Sequence, residues 1–129
     1  MTIASDIRPG DDPGAVSEKL VGRTRTKLLY ELFSYFDIPA AFINHVFGNL
    51  YARDTLTQRE RELCAVAALC VLNRANELKS HIIAAVRAGA TKAEVAEVIL
   101  QMPTYGGMPV CIEGLTIAKK VFDKTKSSN

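Results

Sequence analysis

Tryptophan is absent, and the 129 residues hold only two histidines and three cysteines, with five Phe and four Tyr as the aromatic complement. Two histidines without metal-ligand spacing exclude a conventional zinc or iron site, so no metal is expected. Cys64, Cys70 and Cys111 are odd in number and widely spaced. That pattern excludes a disulfide framework and fits reduced thiols in the cytoplasm. Cys64 and Cys70 lie about 240° apart on a helix and cannot bridge within it, so all three read as small buried hydrophobes. No long apolar run exists either. The longest, Leu63 to Leu72, is too short to span a bilayer, and Met1 to Pro13 lacks the basic-then-apolar pattern of a secretory signal, so no membrane partner is expected. Charge of one sign is lacking too, with sixteen Lys and Arg against fourteen Asp and Glu. Lys119, Lys120, Lys124 and Lys126 cluster without interleaved aromatics, which reads as a solvated helix end suited to the helix dipole rather than a nucleic-acid surface.

What is present is helical punctuation. Asp12-Pro13 supplies a cap followed by proline at the first helical position. A helix is expected from there through Glu18 to about Tyr35, and a second, restarted at Asp37-Pro39, carries Phe42, Ile43, Val46, Phe47 and Leu50. Thr57 to Glu60 and Thr91 to Glu94 have capping-box spacing. Gly89 suits a left-handed cap, Gly106-Gly107 marks a break, and a last helix runs to about Lys124. No segment alternates with the period of a strand. The expectation is an all-α protein: one helical domain over residues 14–124, a flexible N-terminus over 1–13 and a frayed tail over 125–129. The Leu63–Leu72 segment is apolar nearly all round, so a second subunit is expected to cover part of it.

Chemistry concentrates between two apolar segments, in Asn73-Arg74-Ala75-Asn76-Glu77-Leu78-Lys79-Ser80-His81. On one continuous helix Arg74, Glu77 and His81 fall within about 60° of one another, so guanidinium, carboxylate and imidazole share a face. Glu77 and His81 are an i,i+4 pair, and a carboxylate there orients the ring and favours its protonated form, giving a general acid beside a cation. The competing interpretation is a polar entry turn with a histidine satisfied at an interface. Glu62, closest of its charged neighbours to the apolar run, is a surface glutamate or an inward-facing one, whereas Arg59, Glu60 and Arg61 read as a solvated face. His45, between Asn44 and Phe47, reads as a packed or interface residue.

Arg74-x-x-Glu77-Leu78-x-x-His81, then Gly89-x-Thr91-x-x-Glu94-x-x-Glu97, then Tyr105-x-Gly107-x-Pro109 resembles the carboxymuconolactone decarboxylase family. Upstream, Gly48-x-x-Tyr51-x-Arg53-x-x-Leu56 and Arg61-x-Leu63 are similar to the family as well, although the family often has Trp where Tyr51 stands. The resemblance covers about Tyr30 to Phe122. It implies the alkylhydroperoxidase D-like fold of about six helices, assembled as trimers or hexamers. The family's peroxidase branch carries a Cys-x-x-Cys pair, whose positions are Arg74 and Glu77 here, and a relay glutamate at Glu62, nineteen residues before His81. Neither Arg nor Glu can attack a peroxide or resolve a sulfenic acid. The decarboxylase branch has Arg, Glu and His at these three positions, with a small residue where Glu62 stands.

The reaction implied is decarboxylation of a small carboxylated lactone of the 4-carboxymuconolactone type, an intermediate of aromatic-compound degradation. The unsaturated lactone ring accepts the electrons left behind, so no cofactor is required. In that reading His81 is the general acid, Glu77 orients it, and Glu62 joins them as a catalytic candidate. Arg74 anchors a substrate carboxylate through its planar fork, with Arg53 and the Tyr105 hydroxyl as further binding candidates. Peroxidase activity and a non-catalytic helical assembly module are the alternatives.

Overall fold

The computed structural model describes residues 7–127 apart from Pro9, and every regular element among them is helical. The order is α1 Pro13–Val21, α2 Arg23–Tyr35, α3 Ala41–Asn44 running into a π-helical segment His45–Leu50, α4 Gln58–Val71, α5 Ala75–Arg87, α6 Lys92–Gln101, α7 Pro103–Gly106 and α8 Met108–Ser127. None of these helices is long and apolar enough to cross a membrane. Most of the expected flexible stretch 1–13 lies outside the described residues, but its end is structured: Asp12 accepts a hydrogen bond from the Ala15 amide at 2.9 Å and caps α1. At the other end, α8 continues past Lys124 to Ser127.

Local chemistry explains the boundaries. Thr57 and Thr91 both open helices with complete capping boxes, closed by Glu60 and Glu94 as the spacing implies. Gly89, at φ +98°, ends α5 in a Schellman turn: its amide bonds the Val86 carbonyl and the next amide reaches Ala85. The same turn ends α4, where Asn73 takes the left-handed position at φ +57° and the Arg74 amide bonds the Leu69 carbonyl at 3.0 Å. Two expectations are corrected here. Helix α2 does not continue α1, because Gly22 at φ +88° interrupts them, and the Arg87 guanidinium packs where a side chain at Gly22 would stand. Arg74 is not in the helix of Glu77 and His81; it is the cap before it, at φ −100° and ψ 79°.

The main core lies among α4, α5, α6 and α8, where Val66, Cys70, Leu78, Ile82, Val95, Ile99, Cys111 and Val121 are buried together. Close approach is enforced at Gly114 of α8, where a Cβ would come within 2.9 Å of both Cys70 Sγ and Ile99 Cγ2. A smaller cluster of Val16, Leu20, Ile43 and Phe47 joins α1 to the α3–π unit. Within one chain α4 is not buried on every side: Val66 and Cys70 are covered, whereas Cys64, Ala68 and Leu72 are exposed.

Candidate active site

The tight turn at Asn73 folds α5 back along α4, and this hairpin brings Glu62 opposite His81. Nδ1 of the imidazole lies 2.7 Å from Oε2 of the carboxylate. An ionised carboxylate can only accept, so Nδ1 carries the hydrogen and Nε2 is left for a second partner. The Glu62 side chain is 1% exposed and the His81 side chain 26%. The carboxylate therefore stands behind the ring, and the ring has an open edge.

This pairing differs from the one expected. Glu77 lies on the exposed side of α5, and among the described residues no hydrogen bond or ion pair joins it to His81. The carboxylate that holds the imidazole is Glu62, from the neighbouring helix. Arg74 is exposed at the corner between α4 and α5, Arg53 is exposed ahead of α4, and Tyr105 is exposed on α7. The structure thus brings together Glu62 and His81 and leaves the other four candidates at the surface.

Three groups near the pair have no counterpart among those candidates. Tyr51 follows the π-helical segment and is half-buried. Gln58 Nε2 donates to its carbonyl, and the Arg61 guanidinium lies 5.9 Å from its ring centroid. Burial first, and then the negative charge of Glu62, push the Tyr51 phenol up to about 12. Arg61 also donates to the Arg53 carbonyl at 3.0 Å. The solvated face expected over Arg59–Arg61 is therefore partly turned inward, with Arg59 paired to Glu94 of α6. Among the described residues, Gln58 Oε1, Arg61 Nε and Glu62 Oε1 are buried without a hydrogen-bond partner. The sequence signal that marks this cluster is the spacing of Gln58, Arg61 and Glu62 on one side of α4, facing an aromatic residue just upstream.

The thiols do not converge on this pair. Cys64 is exposed, contrary to the expectation of three buried thiols, whereas Cys70 and Cys111 sit in the core. Burial pushes the Cys70 thiol up, away from reactive thiolate character. His45 is exposed on the π-helical segment rather than packed. Among the described residues no group of three or more His, Cys, Asp or Glu side chains is placed to hold a metal ion.

The model of the carboxymuconolactone decarboxylase family matches residues 37–120. An uncharacterized 15.0 kDa protein of Paracoccus denitrificans is 37% identical over 87 residues, covering 66% of this chain and 65% of that protein. A 4-carboxymuconolactone decarboxylase of Acinetobacter baylyi is 34% identical over 76 residues, 59% of this chain and 57% of the relative. A nitrosuccinic acid decarboxylase of Metarhizium robertsii is 27% identical over 77 residues, 60% of this chain and 54% of the relative. The chain thus spans somewhat more than half to just under two thirds of these relatives' own length.

Proposed function

The chain belongs to the carboxymuconolactone decarboxylase family, and on that premise we propose that it decarboxylates a small anionic substrate of the carboxylated-lactone type without a cofactor. The observation that carries the reading is the 2.7 Å contact between a fully buried Glu62 and a partly open His81. Two relatives whose names describe decarboxylases support it.

The chemistry needs a sink for electrons and a source for one proton. The bond between the departing carboxylate and its carbon breaks, carbon dioxide leaves, and the electron pair enters the conjugated lactone as a dienolate. His81 then delivers the proton from Nε2 to carbon while Glu62 keeps the imidazolium oriented and compensated. His81 regains its proton from solvent at the open edge. Arg74 and Arg53, both exposed cations, are the groups proposed to hold the retained carboxylate. Gripping the departing one would stabilise the ground state as well. Glu77 and Tyr105 have no step in this scheme.

The test is carbon dioxide release from a panel of small unsaturated lactone carboxylates and β-keto acids. His81→Gln should lower turnover by about 100-fold or more, the usual weight of a positioned acid. Undiminished turnover by folded His81→Gln protein would remove the acid. In the same assay, blocking every accessible thiol should leave turnover intact. Peroxide consumption abolished by that treatment would instead select the peroxidase alternative.

A further inference from the structure

We propose that Cys70 of α4 and Cys111 of α8 are a redox pair: a small hydroperoxide that reaches the core joins them in a reversible disulfide, which fastens the two helices together. This goes beyond the decarboxylase reading and does not depend on it.

The packing of α4 on α8 brings the two residues to one place. Cys70 is 2% exposed and Cys111 4%, and both belong to the main core. The Cys70 thiol donates to the Val110 carbonyl, with sulfur and oxygen 3.3 Å apart. That oxygen belongs to the peptide that leads into Cys111. In a trans peptide the carbonyl oxygen lies about 2.8 Å from the next Cα, so Cys70 Sγ is within about 6 Å of the Cys111 Cα. Gly114 permits this approach. A Cβ there would come 2.9 Å from Cys70 Sγ, so the sulfur rests against the bare backbone of α8. Cys111 stands three residues before Gly114, on the same face of the helix. Helices in contact have axes about 8–10 Å apart, with Cα atoms about 2.3 Å from each axis. Residues that face across such a contact come within the roughly 4.4–6.8 Å that a disulfide spans between Cα atoms. Burial first, and then Cys111 itself, push the Cys70 thiol up, which agrees with two thiols in one apolar spot. Cys64 has no part in this, being exposed and about 240° round α4 from Cys70.

The chemistry closes without a further reductant or oxidant. One thiolate attacks hydrogen peroxide, the O–O bond breaks, and a sulfenic acid and a hydroxide form. The second sulfur gives up its proton, attacks the sulfenic sulfur and expels a second hydroxide. The two hydroxides take up the two thiol protons. Two thiols and one peroxide thus give one disulfide and two waters, with sulfur oxidised and peroxide oxygen reduced. The raised Cys70 thiol reacts slowly, so the link belongs to sustained oxidation.

The experiment adds hydrogen peroxide to the whole protein carrying Cys64→Ser, which removes the exposed thiol, and counts thiols after unfolding. Both remaining thiols should disappear together within single chains, and digestion should yield the Cys70 peptide joined to the Cys111 peptide. Dithiothreitol should restore both. Thiols lost as oxygen adducts without the joined peptides, or joined only between chains, overturn the proposal. Should Cys64→Ser fail to fold, the same peptide map of the unsubstituted protein decides, because it reads the joined pair directly. The link closes a loop of about 40 residues, so the unfolding constant in urea should fall on the order of a hundredfold on oxidation. Equal midpoints for the joined and the reduced protein overturn the fastening. Peroxide uptake should stop at one molecule per chain, whereas continued turnover belongs to the peroxidase alternative and overturns the structural role. No readout uses a carboxylate substrate, so failure of the decarboxylase reading remains distinguishable from failure of this one.

Discussion

Replacing His81 by Leu should be far more damaging than the size of the change suggests. Glu62 is 0% exposed, and its only hydrogen bond among the described residues is the 2.7 Å contact with Nδ1. Removing the ring leaves a buried charge with no donor on either oxygen. Breaking a buried ion pair from one side costs about 3–5 kcal/mol, and the partly open ring edge argues for the lower end. Glu62→Met removes the charge at nearly constant volume. It orphans only the His81 ring, which can turn a nitrogen toward water, so about 1–2 kcal/mol is expected. The double variant replaces the pair by apolar groups of similar bulk and should lie within about 1 kcal/mol of the parent. The two changes are therefore strongly non-additive, with a coupling of at least about 2 kcal/mol. Urea unfolding followed by circular dichroism, at one fixed protomer concentration, measures all four proteins. Effects that add to within about 0.5 kcal/mol would refute the buried pair.

Strong acid should act on the Arg59–Glu94 pair. Arg59 and the Thr91 amide hold the Glu94 carboxyl down from 4.5 to about 2, so its contribution to stability is complete above 4.5 and disappears as pH falls through about 2. Glu94→Gln should flatten the stability profile inside that window, and parallel profiles for parent and variant would contradict this. Self-association is proposed for the exposed Leu72, Leu100, Tyr105, Met108, Ile112 and Leu115, which α4, α6, α7 and α8 carry. Sedimentation velocity should show more than one chain per particle and Ile112→Glu should loosen it, whereas a parent that stays monomeric at tens of micromolar would end the idea.

The fold was legible wherever a short stretch of chain decides its own conformation. The two capping boxes, the proline start of α1 and the glycine end of α5 depend on residues three or four apart, and each is where the spacing implies. Gly22 was not legible as a break, because a lone glycine in an apolar pattern is tolerated in a helix, and the Arg87 guanidinium that packs beside it arrives from α5, far along the chain. Asn73 was a missed stop: asparagine is among the few non-glycine residues that take the left-handed position with any frequency, and placing it there moves Arg74 off the face of Glu77 and His81. The site failed in the same way. The i,i+4 rule selects Glu77 for the imidazole, but the partner that holds it comes from another helix, nineteen residues away. Local rules see one face of α5. They do not see that α4 covers the other.

The position of Glu62 also resolves a conflict about charge. A carboxylate that lined the binding cavity would repel an anionic substrate, and the decarboxylase branch that this chain resembles usually has a small residue there. Here the carboxylate is almost wholly buried and lies behind the ring, so a ligand at the open edge meets the imidazole first. With Nδ1 tied to Glu62, proton uptake at Nε2 creates a cation whose counter-charge is already in place and shielded from the ligand. Under the proposed reaction, the buried glutamate therefore assists an anion it never touches. It holds the ring of the acid in place, and the dienolate needs that acid as its charge develops.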